Sequence, residues 1–153
     1  MVRYATNSFI DGTVYVQNQS AEFDFIVPAF IDIHCHGGGG KYFSEDPEIA
    51  RNLHYASGTK VQLASLISQP IEVLELQIAK LRNTDIFGVH LEGPYISREF
   101  SGAHNPNHLK AIDLGELSEM IEVGGGLIKM VTLAPELPDA TKAIEFLVSR
   151  KVI

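Results

Sequence analysis

From Pro28 onward the chain alternates short apolar runs with amphipathic stretches, and this alternation constrains its fold more than any other feature. Residues 29–35, 60–67, 85–91 and 127–133 have strand character, and residues 46–56, 70–82, 114–123 and 140–150 have helical character. In the second helical stretch Ile71, Leu74, Ile78 and Leu81 recur on one face. Ser44 is the expected N-cap of the first helix, with Pro47 in its first turn, and the third helix should stop at Gly124-Gly125-Gly126. Lys151-Val152-Ile153 has the character of a further strand's start. Short apolar strands separated by amphipathic helices imply parallel strands joined by right-handed crossovers. Four such units and the start of a fifth fit half of an eight-unit barrel, and they also fit a five-stranded doubly wound sheet. Element counting does not separate the two, so the motifs must.

Ahead of this array, residues 1–27 read as short strand-like pieces. Phe9-Ile10 leads into an Asp11-Gly12 turn, Thr13-Val14-Tyr15-Val16 follows, Asn18-Gln19-Ser20 turns again, and residues 23–27 are extended. The expected division is an N-terminal β segment over 1–27 and a partial barrel over 28–153. Twelve Lys and Arg against nineteen Asp and Glu give a net charge of −7, which argues against nucleic acid or an anionic membrane as a partner. Apolar runs such as residues 26–31 fall far short of the roughly 20 residues that cross a bilayer. The first residues lack the apolar core of a signal peptide, and Cys35 is the single cysteine, so a cytoplasmic location is expected.

Four stretches carry chemistry. In Asp32-Ile33-His34-Cys35-His36, strand alternation should send Asp32, His34 and His36 to one face, where two imidazoles one repeat apart can hold a divalent ion such as zinc. Gly37 to Gly40 then let the backbone turn sharply beside a ligand. Cys35 points the other way and reads as a small buried hydrophobe. In Gly88-Val89-His90-Leu91-Glu92-Gly93-Pro94, His90 and Glu92 share a face, and a carboxylate at a strand's end can ligate a metal or act as a base. Gly102-Ala103-His104-Asn105-Pro106 lies in a long polar loop, where a histidine can donate to a substrate hydroxyl or phosphate. Glu136, closing Thr132-Leu133-Ala134-Pro135-Glu136, reads as a helix-start carboxylate; His54 reads as structural and His108 as exposed.

Together, Pro28-Ala29-Phe30-Ile31-Asp32-Ile33-His34-Cys35-His36-Gly37-Gly38-Gly39-Gly40, His90-Leu91-Glu92-Gly93-Pro94, Gly102-Ala103-His104-Asn105-Pro106 and the Thr132 to Glu136 stretch resemble the N-acetylglucosamine-6-phosphate deacetylase family, in order and in spacing. The family belongs to the metal-dependent amidohydrolases. The resemblance spans essentially this whole chain but less than half of the family's usual length. It implies an α/β fold, the first half of a TIM-like (β/α)8 barrel, with a small β-sandwich built from both chain ends. It also implies hydrolysis of the acetamide of N-acetylglucosamine 6-phosphate to glucosamine 6-phosphate and acetate.

On the matching positions, Glu92 corresponds to the family's metal-ligating glutamate, and His34 and His36 to a pair that binds a further metal in some members. Ala103 and His104 match the loop that contacts the sugar phosphate. The implied cofactor is a divalent metal, zinc first, with iron, manganese and cobalt as alternatives. The implied partners are an amino-sugar phosphate and either further copies of the chain or a missing C-terminal half. Ala29 replaces a usual glycine, and residues 58–60 and 64–68 are looser versions of the second-strand motif. The family's two later metal-binding histidines and its aspartate acid/base would lie beyond Ile153. None of Asp11, Asp24, Asp32, Asp46, Asp85, Asp113 or Asp139 sits where that base belongs, so the catalytic acid/base is unassigned and the chain alone is expected to be inactive. The competing readings are a truncated, inactive half-barrel and another amidohydrolase of dihydroorotase-like or imidazolonepropionase-like type.

Overall fold

The computed structural model describes residues 3–7, 14–18 and 29–153. The chain divides into two compact units, Met1–Phe30 and Ile31–Ile153. In the first, β1 (Arg3–Asn7) pairs antiparallel with β2 (Val14–Asn18), so that Arg3 faces Asn18 and Asn7 faces Val14. Asn18, expected to open a turn, is the last residue of β2. The Asp11-Gly12 turn and the extended pieces at Phe9-Ile10 and 23–27 lie outside the described residues.

The second unit carries the sheet that positions the site. Its strands are β3 (Phe30–Cys35), β6 (Thr59–Ile67), β7 (Gly88–Glu92) and β8 (Ile128–Thr132), lying side by side in that order. β6 runs parallel to β7 with Ser65 level with His90 and Ile67 level with Glu92, and β7 runs parallel to β8 with Glu92 level with Thr132. The β6 side chains are buried almost without interruption from Gln62 to Leu66, as a strand covered on both faces requires. Two short strands, β4 (Gly37–Gly38) and β5 (Lys41–Tyr42), form a small antiparallel ribbon after β3. Gly37 is required there, because a Cβ would sit 2.0 Å from the Lys41 carbonyl oxygen.

Four helices alternate with these strands: α1 (Pro47–Ala56), α2 (Ile71–Leu81), α3 (Leu114–Gly124) and α4 (Ala140–Ser149). The N-cap of α1 is Asp46 rather than Ser44. The helix begins at Pro47, and the carboxylate of the residue just before it reaches the Ile49 N–H at 3.1 Å. α3 is capped by Asp113, whose Oδ1 accepts from Gly115 and Glu116, and it ends at Gly125 in the left-handed conformation. Glu136 lies in an exposed turn outside the first turn of α4, which starts only at Ala140, so it does not serve as a helix-start carboxylate.

The apolar face expected of the second helix is the one buried: Leu74, Ile78 and Leu81 are fully enclosed with Val89, Leu117 and Met120. Full burial of each such side chain stabilises by about 1.5–3 kcal/mol relative to exposure. Beyond β8 the ladder continues, with Ile153 N–H donating to the Lys129 carbonyl at 2.9 Å and Val131 N–H donating to the Ile153 carbonyl at 2.8 Å. Ile153 is thus tied to β8, although the expected further strand at Lys151-Val152-Ile153 is not formed as a strand in this structure. At the other side of the sheet, Phe30, Ile31 and Ile33 of β3 are exposed.

Candidate metal centre

The ends of β3 and β7 bring His34, His36 and Glu92 together across β6. Their donor atoms form a small triangle. His34 Nε2 lies 3.3 Å from His36 Nε2, and Glu92 Oε2 lies 3.4 Å from the first and 3.1 Å from the second. Nitrogen and oxygen ligands at 2.0–2.1 Å from a tetrahedral ion stand about 3.3 Å apart. These three atoms therefore fit three corners of a zinc-sized coordination sphere. The fourth side is open: the His34 and His36 side chains are 49% and 35% exposed.

The surrounding hydrogen bonds set the protonation of the donors. His36 Nδ1 lies 3.1 Å from the Ser65 carbonyl oxygen, which can only accept. Nδ1 thus carries a proton, which makes Nε2 the ring atom that would ligate an ion, the arrangement usual for a metal-bound imidazole. His90 lies beneath, edge-on to His34 with ring centres 5.0 Å apart. It shares the face of Glu92 as strand alternation requires, yet both ring nitrogens are taken, Nδ1 by Ser65 Oγ at 2.9 Å and Nε2 by Thr132 Oγ1 at 2.8 Å. Burial first, and then the neighbouring His34, push its pKa down to about 4, so the ring is neutral and acts as a spacer.

His104 reaches the same end of the sheet from the loop. Ser68 Oγ donates to the Glu92 carbonyl oxygen at 3.2 Å and so accepts from His104 Nδ1 at 2.8 Å. His104 Nε2 then stands 3.8 Å from Glu92 Oε1. His108 donates from Nδ1 to the Ser68 carbonyl oxygen at 3.2 Å and is half-buried rather than exposed. Ala103 is exposed and lines a cleft of about 370 Å³ with His36, Tyr42, Ser65, Ile67 and Gln69. That volume is in the range of small-ligand sites.

Asp32 does not join His34 and His36. Its Oδ1 accepts from the His34 N–H at 3.1 Å, and its carboxylate groups instead with Cys35 and His54. The other described aspartates are engaged elsewhere: Asp46 and Asp113 cap helices, Asp85 pairs with Arg51 at 2.9 Å, and Asp139 pairs with Lys142 at 2.7 Å. Ser65, Ser68 and Thr132 tie the site together; they fall within the 64–68 and Thr132 to Glu136 stretches, but the sequence assigns them no individual role. Their signal is a hydroxyl near the C-terminal end of an otherwise apolar strand.

No protein-family model matches the chain. It is 33% identical to N-acetylglucosamine-6-phosphate deacetylase from Danio rerio over 94% of its own length and 38% of that protein's. It is 30% identical to N-acetylgalactosamine-6-phosphate deacetylase from Escherichia coli, covering 91% and 40% of the two chains. The crystal structure of N-acetyl-D-glucosamine-6-phosphate deacetylase from Mycobacterium smegmatis superposes with a TM-score of 0.79 at 37% identity, covering 92% of this chain and 41% of that one. The chain resembles the N-terminal portion of these deacetylases. It spans about two fifths of the length of these relatives. Among the described residues no helix is long and apolar enough to cross a membrane.

Proposed function

We propose that the chain supplies the first half of a deacetylase barrel that hydrolyses the acetamide of N-acetylglucosamine 6-phosphate to glucosamine 6-phosphate and acetate. The observation that carries this reading is the triangle of His34, His36 and Glu92, whose edges of 3.1–3.4 Å suit one divalent ion. Zinc is the proposed ion, with iron, manganese or cobalt as substitutes, since imidazole and carboxylate donors suit all four. When bound there, such an ion supplies Lewis-acid polarisation of a carbonyl and makes water more acidic. The chain's own residues do the rest of the positioning. Ser65 holds His36 through its carbonyl, Ser68 holds His104, and the cleft beside Ala103 and His36 takes the sugar phosphate.

In this reading residues 1–27 belong to a partial β-sandwich, residues 28–153 form about four βα units, and the protein works in the cytoplasm. The general acid/base is not one of this chain's aspartates. The exposed β3 face, the ladder continuing through Ile153 and the apolar groove between β8 and α4 favour association, either with further copies or with a C-terminal half. The test is acetate release from N-acetylglucosamine 6-phosphate and from N-acetylgalactosamine 6-phosphate in the presence of zinc. The chain alone should give no turnover. Mixing it with a separately expressed C-terminal portion of a deacetylase relative should restore activity, and Glu92→Gln should lower that activity by about 100-fold or more. Robust turnover by the chain alone, or by the Glu92→Gln mixture, would overturn the assignment.

A further inference from the structure

On the opposite side of β3 a second donor set assembles, and it plays no part in the proposed reaction. The cysteine of the His-Cys-His stretch turns away from the imidazole pair and meets α1, where Cys35 Sγ lies 3.3 Å from His54 Nε2. One Asp32 donor atom completes the group, all three lying within 4.8 Å of one another and all half-buried. Thiolate, imidazole and carboxylate ligands around one tetrahedral zinc ion would show a sulfur-to-nitrogen separation of about 3.6 Å, close to that observed. The carboxylate, within 4.8 Å of both, reaches the same spacing by a movement of at most about 1.5 Å.

Two further observations point to a ligand here. Gln62 is 2% exposed and its amide approaches the Cys35 thiol as a hydrogen-bond donor, yet its amide oxygen has no hydrogen-bond partner among the described residues. Leaving such a group unpaired costs about 1–3 kcal/mol, so a partner is expected at that position. A water completing the coordination of an ion held by three protein ligands would supply it. Space is also kept for the imidazole: a Cβ on Gly38 would approach His54 Nε2 to 2.9 Å.

We propose that Asp32, Cys35 and His54 form a second metal site, taking one zinc-like ion with thiolate, imidazole, carboxylate and water ligands, the water hydrogen-bonded to Gln62. On binding, the thiol releases its proton to solvent as the metal–sulfur bond forms. His54 Nε2, which now donates to the Gly37 carbonyl oxygen 3.0 Å away, gives up that bond, and its proton passes through solvent to Nδ1 so that the Nε2 lone pair faces the ion. The sulfur ligand selects zinc, cadmium or cobalt over magnesium and calcium.

Cobalt reports this site without ambiguity, because Cys35 is the chain's single cysteine and the His34, His36 and Glu92 group has no sulfur. Titrating the purified protein with Co²⁺ should produce a saturable near-ultraviolet thiolate-to-cobalt charge-transfer band, with up to two equivalents bound in all because the His34, His36 and Glu92 group also takes cobalt. The band should persist in the Glu92→Gln variant and vanish in Cys35→Ser. His54→Ala should weaken the affinity read from the band by at least tenfold. Zinc should protect Cys35 of the unmodified sequence from alkylation, a readout that depends on no variant folding. A wild-type titration without the sulfur band, a band unchanged in His54→Ala, or alkylation unaffected by zinc would each overturn the proposal.

Discussion

Replacing Ser65 with alanine removes one oxygen and leaves two groups without a partner. Ser65 Oγ accepts from the Cys35 N–H on β3 at 3.1 Å and bonds His90 Nδ1 on β7 at 2.9 Å, so one hydroxyl joins three strands. Ser65 is 3% exposed and His90 1%, which keeps water from taking the vacated place beside the imidazole. An unsatisfied buried group costs about 1–3 kcal/mol; His90 should pay toward the top of that range, and the Cys35 amide, on a more open strand, toward the bottom. Ser65→Ala should therefore lose about 2–4 kcal/mol. Urea unfolding followed by circular dichroism should show a lower midpoint with an unchanged slope. The Cys35 amide should exchange its hydrogen faster, since its bond to β6 is gone. Ser149→Ala removes an exposed hydroxyl bonded within α4 and should stay within about 0.5 kcal/mol of the original. A Ser65→Ala loss no larger than that control, with Cys35 exchange unchanged, would refute the claim that this hydroxyl holds β3 to the sheet.

Tyr95 is fully buried, its hydroxyl donates to the Asp113 carbonyl oxygen at 3.3 Å, and burial first, then Glu116 and Asp113, hold its pKa well above the usual value. The unfolded chain ionises this phenol near pH 10 while the native one does not, so stability should fall as pH rises from about 10 through the native pKa. Tyr95→Phe should flatten that alkaline decline while costing about 1 kcal/mol at neutral pH, as pH-dependent urea midpoints would show. Asp113→Ala strips the cap that serves the Gly115 and Glu116 N–H groups and should lower stability by about 1 kcal/mol in the same assay, with Asp113→Asn losing less.

The alternation of strand and helix from Pro28 was legible without coordinates, because burial of one face writes its period into the residues: Ile71, Leu74, Ile78 and Leu81 had to lie together whatever they packed against. The His34 and His36 spacing and the Glu92 strand end were legible for the same reason, each depending on neighbours a few residues away. Helix starts were less so, since Ser44 and Asp46 are both good caps and only the helix's first turn chooses between them.

What stands opposite what was not legible. Sheet order sets β6 between β3 and β7, and this makes Ser65 the link between Cys35 and His90 and places His36 3.1 Å from Glu92. The path of β3 likewise takes Asp32 away from the imidazole pair, against simple alternation, to Cys35 and His54. Local periodicity determines which face a side chain occupies. The partners it meets come from segments distant in sequence, and only packing the strands and helices into one body brings those within hydrogen-bonding or coordination distance.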